Sequence, residues 1–449
     1  MKTTQNVIKT SPDRKPSVSK DFIFSRDNIT NYTDNQDLLK VRENAYKNFK
    51  SINLPTINDE SWRRTNLKGF QPDKFVLPVK GNGKVISESN EKVIKQFNFD
   101  DNSYNLLLFN NGDQKFITKH KLPQGVVFTS LKEAEERYID ILLKIIGKHI
   151  KPENGKFAAL TEAFATNGFL LYVPENMHVE LPLNCVFCGT NDGMAYLNHF
   201  LIYLENNSSA TIINEVQSLS NSSEEVMHSY VVEGYVGKNS KLNYIDLQTL
   251  GRNYWNFGQE KISVDNDGEV NWIVGSLGSK LSKTFYDLDL IGEGSTGNVS
   301  GFYFLDGTQH FDHDTQQNHL EKNTTSDLLF KGALIDNARS VWQGMIYVAE
   351  GAQKADGFQS NRNILLSKDA RADSIPGLEI LADDVRCTHG ATVGTIDSDQ
   401  LFYLKSRGIE EKDAKVIILE GFFDPILARI PNPLVKEFLL REIRNKMKF

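Results

Sequence analysis

A near-constant spacing of strand starts constrains this chain more than any other feature. "SKLNYI" begins at Ser240, "GEVNWI" at Gly268, "GNVSGF" at Gly297 and "SDLLFK" at Ser326, in steps of 28, 29 and 29 residues. Half-steps of 14 follow at "SVWQGM" (Ser340) and "KADGFQ" (Lys354). Each start is a small or polar turn residue leading into a short run, and most of these runs are rich in Val, Ile, Phe, Leu or Tyr. No helical period appears from about residue 170 to 393. A fixed period in this range signals a solenoid, and the half-step puts two strands in each coil. A β-sandwich also has regular short strands, but it does not usually hold one period over successive steps. The expected fold class is therefore mainly β, with a right-handed parallel β-helix as its core, over residues 156–396.

The flanks read differently. Leu38, Leu39, Arg42, Ala45, Tyr46 and Phe49 predict a helix over 37–50. Leu131, Ala134, Tyr138, Ile141, Leu142 and Ile145 predict a second over 131–148. Alternating runs such as "NLLLFNNG" and "GVVFTS" lie between them, so 21–155 reads as a mixed α/β region. Residues 397–449 read as helical, with helices over 399–407 and 412–430. A third is capped by Asn432 and carries Pro433 in its first turn, where a missing N–H costs nothing. Its apolar stripe either seals the chain's own core or docks a partner. Phe423, Ile426, Leu427, Leu434 and Phe438 are the candidate docking side chains. Residues 1–20 are Ser/Thr/Lys-rich, lack an apolar segment, and read as a disordered tail rather than a targeting peptide.

A hydrophobic content of 39% and a charged content of 24% are those of a soluble globular chain. The net charge of −7 argues against a nucleic-acid binder, and no run of about 18 apolar residues spans a membrane. Three cysteines cannot build a disulfide framework, which fits a reducing cytoplasm.

Few residues nominate chemistry. "CVFC" (Cys185 and Cys188) is a lone pair without a second at zinc spacing. On a strand its two thiols point to opposite faces, so core packing is the better reading. "QHFDHDTQQNH" puts His310, Asp312 and Asp314 on one strand face and His313 on the other. That face either holds a transition metal or is a structural ladder in which Asp orients His. Cys387 and His389 also share a face. Thiolate and imidazole suit zinc, iron or a cluster, but two ligands do not close a site, and from spacing alone packing is the better reading. No phosphate-binding loop and no nucleophile elbow is present. An export-type polysaccharide-cleaving enzyme built on Asp306, Asp312 and Asp314 is a competing reading.

The C-terminal block "LADDVRCTHGATVGTIDSDQLFYLKSRGI" closely resembles the signature of the SufB/SufD family of iron–sulfur cluster assembly proteins. "LPTINDESWRRTNL" resembles that family's N-terminal element. "FAALTEAFATNGFLLYVPENMHVELPL", "LFKGAL" and "AEGAQKADGFQSNRNILLS" resemble its β-helix, and the likeness covers about residues 36–449. The SufB branch carries a functional cysteine just before "SIPGLEI", and typically a Glu where this chain has Gly390. Here "SKDARADSIPG" has no cysteine, so the likeness is to the SufD branch. The resemblance implies a non-catalytic scaffold that pairs with a SufB-like subunit through its β-helix and binds a SufC-like ATPase through its C-terminal helices. It also implies that such a scaffold passes clusters to apo-proteins. His389 maps onto the family's interface histidine, the one expected metal contact, while Cys387 matches the motif's cysteine. A transient iron–sulfur cluster at that interface is the expected cargo. Flavin (FAD) has been linked to such complexes, though no flavin signature is present here. A SufB-like homodimer working with the SufC-like ATPase is the alternative.

Overall fold

The computed structural model describes residues 20–30, 33, 35–78, 101–109, 114–189, 193–218 and 224–447. The expected tail, but for Lys20, lies outside them. From Phe169–Val173 to Arg386–Thr395, successive strands alternate between two sheets. Between the two ends, each strand pairs in parallel with the strands two before and two after it. This is the solenoid expected from the 28–29-residue step. The step is visible in the register, where Tyr244, Trp272, Val299, Leu328, Gln359 and His389 occupy one column across the coils.

The coil closes through left-handed corners. Asn176, Asn207, Asn239, Asp267, Asn323 and Lys354 have φ of 53–62°, and Gly294 takes the same role at 75°. Asn, Asp and Gly tolerate this region because a short polar side chain, or none, relieves the clash that a bulkier residue makes. Each corner N–H donates along the axis to the next coil, as from Asn207 to Lys238 O (2.8 Å) and from Asn239 to Asn266 O (3.0 Å). The corner side chains stack as well, with Asn239 Nδ2 donating to Asn207 Oδ1 (3.3 Å) and Asn207 Nδ2 to Asn176 Oδ1 (3.1 Å). Turn chemistry recurring once per coil is thus what fixes the period.

Side chains alternate between the lumen and the two outer faces, and both outer faces are covered. On one sheet the N-terminal region packs Trp62, Phe70 and Phe157 against Trp255, Phe257 and Leu281. On the other, the C-terminal helices Glu411–Leu427 and Pro433–Lys446 pack Leu419, Phe423, Leu439 and Ile443 against Ile245, Ile273, Phe302 and Phe304. This two-sided cover explains strands that are apolar on both faces. Asn35 caps the Gln36–Ser51 helix by accepting from the N–H groups of Asp37 and Leu38.

The expected helix over 131–148 is two helices, Leu131–Arg137 and Ile139–Ile145. Tyr138 (φ −131°, ψ 32°) ends one and starts the other. The break turns Leu142 and Ile145 into a cluster with Leu38, Leu170 and Leu201, a tertiary demand that local periodicity does not encode. No described helix is long and apolar enough to cross a membrane.

Candidate functional site: the open end of the solenoid

Arg371–Ile380 and Arg386–Thr395 are the last strands of their sheets, and among the described residues no strand pairs with their outer edges. The lumen opens there. Leu378 and Ile380 (38% exposed each), Val393 (45%) and Leu381 (52%) are left apolar and accessible. An uncovered pair of edges with apolar side chains is a template for another chain.

His389 and Cys387 both lie on this rim. His389 continues the lumen column after Gln359 and is exposed. Cys387 follows Gly357 in the next column, is half-buried, and packs beside Ile346, Val348, Ala352 and Ala355. Burial raises the Cys387 thiol above its ordinary pKa. The thiol is therefore protonated near neutral pH until something displaces the proton. The two side chains share a face, as their spacing predicts. Among the described residues, no three His, Cys, Asp or Glu side chains converge to hold a metal.

The His310–His319 strand is a different environment. Thr65 Oγ1 lies 2.8 Å from His310 Nε2 and donates to Asp312 Oδ2. Lys283 Nζ reaches Asp312 Oδ1 (2.9 Å) and Asp314 Oδ2 (2.7 Å), with Lys283 and Asp312 fully buried. The same ammonium lies 4.6 Å from the Phe285 ring centroid and 5.9 Å from that of Trp62. These groups clamp the Trp62–Thr65 segment onto the sheet. Burial lowers His310 to about 4 and, against the pull of Lys283, raises Asp314 to about 6. On the opposite face His313 sits in the lumen among Tyr286, Tyr303, Phe311 and Phe330. Burial lowers it to about 3.

Sequence reading missed Thr65 and Lys283. The coil period would have found Lys283, since it sits beside Asp312 on the neighbouring strand, one coil earlier. The carboxylates of the polysaccharide-cleaving alternative are all occupied, because Asp306 pairs with Arg252 and with Lys446 Nζ (2.8 Å).

Cys185 and Cys188 are buried in separate apolar clusters on opposite faces of one strand. Of the five candidate docking side chains, Phe423, Ile426 and Leu427 pack onto the chain's own solenoid, as in the 4.5 Å edge contact of Phe423 with Phe302. Phe438 is partly buried beside them, and Leu434 is exposed.

Comparison with known proteins matches this architecture along nearly its whole length. Residues 187–422 match the model for "SUF system FeS cluster assembly, SufBD core domain" and residues 21–185 that for the SufBD protein N-terminal region. The chain is 31% identical over 327 residues to the iron–sulfur cluster assembly protein SufD of Bacillus subtilis, covering 72% of this chain and 75% of that one. It is 30% identical over 311 residues to SufB of the same organism (69% and 66%). It is 28% identical over 315 residues to a SufBD family protein of Staphylococcus epidermidis (69% and 66%). With both halves matched and the solenoid in place, the chain belongs to the SufB/SufD family of iron–sulfur cluster assembly proteins.

Proposed function

We propose that this chain is the SufD-like subunit of a cytoplasmic cluster assembly complex, a scaffold with no catalysis of its own. The uncovered end of the solenoid carries the reading. Among the described residues it leaves two sheet edges unpaired, an apolar rim exposed, and an incomplete ligand pair at its lip. A SufB-like subunit with the same architecture would continue both sheets and supply the missing ligands to a nascent iron–sulfur cluster, the complex's cargo. His389 would face that partner directly. Cys387, with its proton retained, would contribute when metal arrives. The C-terminal helices, already anchored by Phe423, Ile426 and Leu427, would present Leu434 and their remaining outer surface to a SufC-like ATPase. Apo-proteins would receive the finished cluster.

The near-equal identity to SufD and SufB supports a second reading, a homodimer working with the ATPase alone. Co-expression with SufB-like and SufC-like subunits, followed by gel filtration with mass determination, separates the two. A stable complex containing all three chains is expected. A complex of the same mass without the SufB-like chain favours the homodimer, and a strictly monomeric chain overturns both.

A further inference from the structure

Ser326, Gly357 and Cys387 are neighbours in one lumen-facing column. A Cβ added to Gly357 would stand 3.2 Å from His319 Nε2 and 3.3 Å from Cys387 Sγ. The glycine therefore leaves an imidazole and a thiol facing the same small space. His319 arrives from the opposite sheet and is fully buried.

Its tautomer is set by its neighbours. Thr324 Oγ1 donates to Glu321 O (3.0 Å), so it accepts from His319 Nδ1 (2.8 Å). With the ring proton on Nδ1, Nε2 is the acceptor, so the Ser326 hydroxyl donates to it (2.8 Å) while accepting from Gln317 Nε2 (2.6 Å). An imidazole anchored through Nδ1–H, with its Nε2 lone pair turned to an exchangeable hydroxyl, is the form that binds a metal ion. Coordination displaces a thiol proton, so a thiol and an imidazole lone pair at one gap suffice to take up a metal ion. Cys387 is half-exposed at the open end, which gives an ion a way in.

We propose that Cys387 Sγ and His319 Nε2 form a two-ligand site for a borderline divalent metal ion, across the gap that Gly357 leaves. Binding releases the thiol proton to solvent, and the Ser326 hydroxyl yields the Nε2 lone pair. Thiolate with imidazole suits Zn²⁺, Co²⁺ and Fe²⁺. The absence of a third converging ligand among the described residues leaves positions for water or a partner's group, as in a site that passes its metal on rather than a closed structural one. That the native ion is iron rests on the cluster-assembly reading, whereas metal binding by the single chain does not.

The test is a Co²⁺ titration of the purified full-length chain, read by thiolate-to-cobalt charge-transfer absorption. The wild-type chain should show the band and Cys387→Ser should lose it. His319→Gln and Gly357→Ala should each weaken binding by at least about tenfold. Gly357→Ala keeps both ligands and needs no positive φ, so it decides the matter if His319→Gln fails to fold by circular dichroism. No band in the wild type, or variant titrations that superimpose on it, overturns the proposal. Either result leaves pairing with a SufB-like subunit to be measured separately by gel filtration.

Discussion

At the scale of single residues, two buried groups carry measurable consequences. Lys283 balances Asp312 where neither meets water. Removing one partner of such a pair leaves an uncompensated charge, so Lys283→Ala should destabilise the fold by about 3–5 kcal/mol in urea unfolding. His313 has a folded pKa of about 3, well below that of an unfolded histidine, near 6.5. Its contribution is fully present above pH ~6.5. It is lost as pH falls through 6.5 toward 3, because the unfolded chain takes up a proton that the folded chain refuses. His313→Phe, in a lumen already lined by Tyr286, Tyr303 and Phe330, should therefore match the wild type near pH 8. It should gain on it by about 1.4 kcal/mol per pH unit below 6. Parallel stability curves would refute the assignment. The face-sharing of His310, Asp312 and Asp314 was legible from a period of two. The clamp they form with Thr65 was not, since that contact joins residues 245 and 247 positions apart.

At the scale of elements, the corners matter most. Asn239 sits at φ +55° and bonds Asn207 across one coil. A β-branched residue cannot take that backbone cheaply. Asn239→Val should cost about 1–2 kcal/mol, and Asn239→Gly clearly less, by chemical denaturation. Equal losses would mean that the side-chain ladder, not the backbone, sets the corner. The helices show where local reading ends. The 37–50 pattern became Gln36–Ser51 with its Asn35 cap, because amphipathic spacing and a capping residue agreed there. The 131–148 pattern broke at Tyr138, because two helix directions were needed to bury Leu142 and Ile145. The same limit applies to Phe423, Ile426 and Leu427. A sequence shows an apolar stripe, and only the packed solenoid shows that those three side chains already have their surface.

At the scale of the whole molecule, the solenoid was legible because each coil repeats one turn chemistry, and repetition survives in sequence. The open end was not. Arg371–Ile380 and Arg386–Thr395 read as strands like their neighbours, and only the topology shows that no described strand pairs with their outer edges. On the proposed reading, that incompleteness makes Cys387 and His389, a weak pair by spacing, the lip of a site that a second subunit would complete. Because His389 is exposed, its replacement leaves the fold and the pairing edges intact. The most direct test is the iron and acid-labile sulfide content of the complex co-purified with SufB-like and SufC-like subunits, wild type against His389→Ala. The account predicts a complex of unchanged mass with iron and sulfide lowered by about tenfold, the scale of losing one metal-site group. Unchanged iron and sulfide in the His389→Ala complex would contradict it.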